Sequence, residues 1–197
     1  ALPISDADTT AVPPVDAVYE EDNDYRTRIQ MSLDGLSVAG PASSYKFHAL
    51  SADGQVLDVG VSSPAPADVV VSVISRTGSG VASNDLIAKV NAALNADDIR
   101  PLTDHVTVQS AEIVPYDVVA TLYVYPGPDS GVVIANARSA LESYVASVHR
   151  IGRDVPLSGL YAALHQSGIQ RVELSSPIAD IAITDEQASY CQSITLT

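Results

Sequence analysis

The order in which helical and strand periods follow one another constrains this chain more than any other feature of its sequence. From Val69 to Leu174 the order is strand, helix, strand, strand, helix, strand, with an extra short helix before the last strand. Apart from that helix, the six elements are predicted at 69–74, 83–94, 105–113, 116–125, 134–148 and 169–174. The βαββαβ order is that of the ferredoxin-like fold, in which two helices cover one face of an antiparallel sheet. We therefore predict an α+β fold with a ferredoxin-like core and extra edge strands at 56–61 and 178–183.

Two segments of different character precede this core. Residues 1–21 contain three prolines and no apolar period, so we predict an extended arm or linker. Residues 22–54 are predicted to form a small helical segment, and residues 55–197 the α+β sheet domain. The first helix of the segment carries one apolar face made of Tyr25, Ile29, Leu33 and Leu36. We expect this face to be partly exposed or covered by another copy.

Charge and composition exclude several classes of partner. The 197 residues include 24 Asp+Glu against 10 Lys+Arg, a net charge of -14. Binding to nucleic acid or to an anionic membrane needs clustered basic residues, so neither is expected. No apolar run approaches the ~20 residues of a membrane span, and no signal-peptide pattern opens the chain. We therefore expect a soluble protein that is intracellular or is assembled inside a cell, and Ala1 in place of Met suggests a processed or partial chain.

Aromatic residues are few, which argues against a cofactor enzyme with a deep aromatic pocket. The chain has nine Tyr, one Phe and no Trp. The one glycine-rich loop before a helix, Gly78-Ser79-Gly80, lacks the following Lys-Ser/Thr of a P-loop and the third glycine of a dinucleotide fingerprint. A flexible strand-to-helix loop explains it better than a phosphate cradle. We expect no cofactor.

A hydrolase site is weakly suggested by G-L-S-V-A at 35–39, which approaches the nucleophile elbow G-x-S-x-G. An elbow needs a strand before its serine, whereas a helix is predicted before Ser37. We therefore predict no catalytic residue. The competing hydrolase hypothesis requires that Ser37 lie near His48 or another histidine in a cleft.

No metal-ligating pattern is found. The four histidines, His48, His105, His149 and His165, share no helical turn and no H-E-x-x-H spacing. The acidic clusters at 20–24 and Asp97-Asp98 lack the spacing of an EF-hand loop and are typical of solvated helix ends. Cys191 is the only cysteine and has no basic neighbour that would lower its pKa, so we expect a packing residue.

A series of short motifs, in a fixed order, provides the strongest signal. They are R-I-Q at 28–30, L-S-V-A-G-P at 36–41, F-H-A at 47–49, S-A-D-G at 51–54, A-L-N at 93–95, R-P-L-T-D at 100–104, V-T-V-Q-S-A at 106–111, Y-V-Y-P-G-P-D at 123–129, H-R-I-G-R-D at 149–154, L-Y-A-A-L-H at 160–165, Q-R-V-E-L at 170–174 and P-I-A-D-I at 177–181. From about Thr9 to the C-terminus the chain resembles the baseplate J proteins of contractile-tailed bacteriophages. It resembles only their central and C-terminal part, because family members extend further on the N-terminal side.

The resemblance implies a structural protein of the baseplate wedge, located in the virion and assembled in the host cytoplasm. Its implied partners are other wedge proteins, the hub and further copies of itself, and it implies no catalytic residues. The acidity of the chain is consistent with basic partner surfaces. Two hypotheses compete with this one: a small serine hydrolase using Ser37, and a ligand-binding ferredoxin-like module with a pocket near Gly78–Gly80.

Overall fold

The computed structural model describes residues 1–37, 40–96, 99–101, 103–127 and 129–197. They divide into two compact units, Ala1–Glu112 and Ile113–Thr197. The strands are β1 Pro3–Ser5, β2 Val18–Tyr19, β3 Val56–Ala65, β4 Asp68–Ser75, β5 His105–Ser110, β6 Glu112–Val124, β7 Ile169–Ser176 and β8 Gln187–Leu196. The helices are α1 Asp22–Gln30, the 3₁₀ helix Met31–Leu36, α2 Ala42–Ala52, α3 Asn84–Leu94, α4 Ser130–Val148 and α5 Leu157–Leu164. Among the described residues, no helix is long and apolar enough to cross a membrane.

The first unit is built on a three-stranded sheet in the order β3-β4-β5. β3 and β4 form an antiparallel hairpin, while β4 and β5 are parallel, as a strand-helix-strand crossover through α3 requires. Ser83 begins α3 by accepting a hydrogen bond on its Oγ from the Leu86 amide at 3.2 Å. The core joins these strands to α2 and α3 and contains Tyr45, Ala49, Val56, Val59, Val71, Val73, Ala82, Leu86, Val90 and Leu94.

The second unit has a sheet in the order β7-β6-β8. Alternate residues of β6 are buried: Tyr116, Val118, Ala120 and Leu122. They belong to the same core as the buried stripe of α4 and the two buried leucines of α5. The central strand therefore has one apolar face toward the helices, as its composition predicts.

The structure confirms a mixed α+β fold but does not confirm the ferredoxin-like topology. A ferredoxin-like fold would pair the predicted strands 105–113 and 116–125 with each other, yet β5 lies beside β4 and β6 lies between β7 and β8. Only Ala111 separates β5 from β6, and an antiparallel hairpin needs a connection of at least about two residues. β6 therefore starts a second sheet instead of returning along β5.

The predicted edge strand 178–183 is also wrong. In this segment the described backbone pairs only through one isolated bridge, between Ile181 and Val155. Two aspartate side chains accept hydrogen bonds from backbone amides in and beside this segment. The Ile183 amide donates to Asp154 Oδ1 at 2.7 Å, and Asp180 Oδ1 accepts from the Leu157 amide at 2.7 Å. Backbone groups that bind side chains in this way do not extend a sheet.

Two leucines of the first unit provide a matched test of its core. Leu94 has an exposed fraction of 0% and Leu33 one of 75%. We expect Leu94→Ala to lower the free energy of unfolding by about 2–5 kcal/mol through lost burial and a residual cavity. Leu33→Ala, the control, should change it by less than about 0.5 kcal/mol. Urea denaturation followed by circular dichroism measures both, and equal losses would contradict the assigned core.

Candidate assembly surface

Helix α1 and the following 3₁₀ helix present their apolar residues to solvent. Tyr25, Ile29, Leu33 and Leu36 are 39%, 51%, 75% and 77% exposed. No residue of either helix is buried. Helical spacing places Tyr25 beside Ile29 in α1 and Leu33 beside Leu36 in the 3₁₀ helix, and we call these four exposed residues the α1 stripe. Large aliphatic side chains in such an arrangement are typical of protein interaction sites.

Ion pairs attach α1 to the rest of its unit. The Arg28 guanidinium binds the Glu20 carboxylate, whose side chain is only 4% exposed. Arg76 Nη1 lies 2.6 Å from Asp24 Oδ2, and its Nε donates to the Gly54 carbonyl at 2.9 Å. Two charged side chains of α1, Asp24 and Arg28, thus face inward, whereas Asp22 and Arg26 are exposed like the apolar residues. An amphipathic surface helix ordinarily turns its apolar face, not its ion pairs, toward its own domain.

The carboxyl group of Glu20 lies at the centre of this attachment. Its Oε1 also accepts a hydrogen bond from the Leu2 amide at 2.8 Å, so it joins α1 to the start of the chain. Burial acts to raise the pKa of Glu20, but the hydrogen bonds and charge supplied by Arg28 and Leu2 lower it below its ordinary value of 4.5. Glu20 is therefore held in its ionised form.

The predicted arm is folded back on the unit. β1 and β2 pair antiparallel, and Asp8 and Val15 form a further bridge. The Pro3 carbonyl oxygen lies 2.1 Å from the position that a Cβ on Gly54 would occupy. Only a glycine at this position permits so close an approach of the two backbones.

The 3₁₀ helix is positioned by α2. The Phe47 ring lies over Gly35, where a Cβ would meet it at 2.3 Å, and His48 Nε2 is hydrogen-bonded to the Gly35 carbonyl at 3.1 Å. His48 thus contacts backbone two residues before Ser37. Ser37 follows a 3₁₀ helix rather than a strand, so the local fold is not that of a nucleophile elbow. The remaining residues of the motif, 38–39, lie outside the described residues.

The loop Gly78–Gly80 closes a turn at the end of β4. The Ser75 amide donates to the Gly80 carbonyl at 2.8 Å, and Gly78 and Gly80 have φ angles of +62° and +94°. Because Ser83 caps the helix itself, the loop lies outside the first turn of α3. The positive φ angles explain these glycines without a ligand.

His149 and His165 lie at the ends of helices. His149 Nδ1 is hydrogen-bonded to the Ser189 carbonyl at the end of α4, and His165 follows α5. Burial raises the pKa of the Cys191 thiol. Among the described residues, no group of three His, Cys, Asp or Glu side chains could hold a metal ion. Asp97-Asp98 lies outside the described residues.

Two protein-family models match this chain. A model described as the Baseplate J-like central domain matches residues 37–110, and one described as the Baseplate J-like protein C-terminal domain matches residues 116–197. The chain therefore belongs to the Baseplate J-like family, which confirms the resemblance seen in its motifs.

Individual proteins support this assignment. The chain is 55% identical over 190 residues to baseplate protein J of Escherichia phage P2. The match covers 96% of this chain and 63% of that protein. Among solved structures, a chain of the cryo-EM structure of the anti-feeding prophage baseplate matches with a TM-score of 0.57 and 14% identity. That match covers 92% of this chain and 43% of the other, and it shows a shared fold.

The apolar residues of the α1 stripe are predictable from the sequence, whereas the ion pairs on the opposite side of α1 are not. Glu20 and Arg28 are eight residues apart, and Asp24 and Arg76 are 52 apart. Neither separation is the three or four that marks helical neighbours. The acidic cluster 20–24 was interpreted as a solvated helix end, whereas Glu20 is buried. The sequence carried no signal for these partners.

Two isosteric substitutions test whether the buried pair holds α1 in place. We expect Glu20→Gln to lower amide exchange protection in α1 by about tenfold or more, because Arg28 loses its charged partner in a largely buried position. Asp22→Asn is the control, since Asp22 and Arg26 lie 3.9 Å apart with side chains 90% and 71% exposed. It should change protection by less than about threefold. Similar small changes in both variants would contradict the structural role of Glu20.

The lowered pKa of Glu20 makes the attachment of α1 sensitive to acid. A carboxyl group with a depressed folded-state pKa contributes its full stabilisation above the ordinary value of 4.5 and loses it as the pH falls through the folded-state pKa. We expect the carboxyl carbon of Glu20 to titrate by NMR with a midpoint below 4.5, and dispersed α1 amide signals to weaken as the pH falls through it. Arg28→Gln should raise the midpoint. A wild-type midpoint at or above 4.5 would refute the mechanism.

Proposed function

We propose that this chain is a structural component of the contractile-tail baseplate of a phage or phage-like particle. Within the baseplate it acts as a wedge assembly protein that links the hub to other wedge proteins and contacts further copies of itself. It is located in the virion and assembled in the host cytoplasm. The proposal assigns the chain no catalytic reaction.

The observation that carries this proposal is the outward-facing α1 stripe. The ion pairs of α1 face inward, whereas Leu33 and Leu36 of the following 3₁₀ helix are more than 70% exposed and so contribute little burial within their own unit. Burying such side chains yields about 1.5–3 kcal/mol each, which is available to an interface with another protein. Membership of the Baseplate J-like family supports the kind of assembly in which that interface forms.

A linking role would give each predicted segment of the chain its own task. We propose that residues 1–21 and 22–54 serve as the arm and helical segment of assembly, while the sheets of residues 55–197 form the supporting body. The chain spans 63% of baseplate protein J of phage P2, so the remainder of such a protein would contribute further contacts.

Location within the particle tests the proposed function. We expect antibodies against the chain, detected by gold labelling, to mark the baseplate end of purified contractile tails in several copies per particle. Tails from a strain lacking the protein should lack a complete baseplate, and the intact gene should restore it. Labelling of the sheath, tube or head, or normal baseplates without the protein, would refute the proposal.

A further inference from the structure

We propose that the α1 stripe is the docking site for an apolar segment of a different protein that carries lysine or arginine residues beside its apolar ones. The inference rests on the proposed assembly function and specifies the partner of that surface. It excludes a second copy of this chain as the occupant.

The stripe is a preformed surface. The pairs Glu20–Arg28 and Asp24–Arg76 fix α1, and the contacts of Phe47 and His48 with Gly35 fix the 3₁₀ helix. Docking on a surface that is already ordered avoids much of the conformational entropy that binding otherwise costs. Leu33 and Leu36, each more than 70% exposed, provide the largest apolar area for a partner.

The charge of the surrounding segment determines which partner fits. Residues 1–36 contain eight acidic and two basic residues. Both arginines already bind carboxylates of the same segment, Arg26 to Asp22 and Arg28 to Glu20. Glu21 lies just before α1 and Asp34 lies between the two exposed leucines, and both are exposed. Asp6, Asp8 and Asp16 of the arm are exposed as well.

These charges distinguish a basic partner from a second copy. Two stripes packed against each other would bring Glu21 and Asp34 of both copies into one interface, and like charges brought together in an interface disfavour association. A partner with Lys or Arg flanking its apolar residues instead neutralises these carboxylates as the leucines are buried. Electrostatic complementarity of this kind selects the partner and its orientation.

Photo-crosslinking in assembled baseplates identifies the occupant directly. A p-benzoyl-phenylalanine residue replaces Leu33 of the full chain, and the crosslinked peptide is sequenced by mass spectrometry. We expect a peptide of another baseplate protein with more Lys and Arg than Asp and Glu. The same replacement at Thr27, an exposed residue of α1 outside the stripe, is the control and should not give that peptide.

Binding of the crosslinked segment, made as a synthetic peptide, measures how much the apolar residues of the stripe and the charge of the partner each contribute to the affinity. We expect the double variant Leu33→Ser, Leu36→Ser to weaken binding about a hundredfold, and Thr27→Ala to leave it within about twofold. Replacing the basic residues of the peptide by Gln should weaken binding about tenfold at low salt, with less effect at ~0.5 M salt, where screening is stronger.

Several results would overturn the inference. They are a Leu33 crosslink to a second copy of this chain, a crosslink to an acidic peptide, and incorporation into baseplates with no crosslink from the stripe. In each of these cases the baseplate function would stand. Absence of the chain from baseplates would refute the proposed function and the inference together.

Discussion

The ionic attachment of α1 is the interaction on which the assembly surface depends. A surface helix ordinarily binds its own domain through its apolar face, because hydrophobic burial is the largest favourable term in folding. Here the inward contacts are Glu20–Arg28 and Asp24–Arg76, in which the charges are desolvated and offset by close pairing. A well-packed apolar contact would often be at least as stable. The ionic contacts are therefore best explained by their consequence, which is that the apolar residues of the α1 stripe stay exposed and available to another protein.

The two sheet units do not depend on this arrangement for their cores. The first unit buries valines of β4 against Val90 and Leu94 of α3, and the second buries alternate residues of β6 against α4 and α5. These cores contain mostly aliphatic residues. The stability of each sheet unit thus comes from its own hydrophobic core. Helix α1, whose inward contacts are polar, is attached to the first unit without taking residues from that core.

Periodicity predicted the elements much better than their pairing. The predicted helix 83–94 corresponds to α3 at Asn84–Leu94, and the predicted strand 169–174 lies within β7 at Ile169–Ser176. Spacing along the chain reports which residues share a face, so these predictions succeed. Sheet order depends on which strands can turn back on one another. Only Ala111 lies between β5 and β6, which leaves no room for a hairpin turn, and its sequence context predicts a strand that continues through it.

Periodicity also predicts only part of the candidate surface, because it does not report which way a face points. The sequence shows that Tyr25, Ile29, Leu33 and Leu36 share a face, but not whether that face points inward. The opposite side of α1 is held by Glu20 and by Arg76, which lies in the turn after β4 and reaches both Asp24 and Gly54. A charged residue far along the chain thus belongs to the contacts that leave the apolar residues exposed. In proteins of assemblies, an apolar stripe should be interpreted together with the partners of the charged residues on its opposite side.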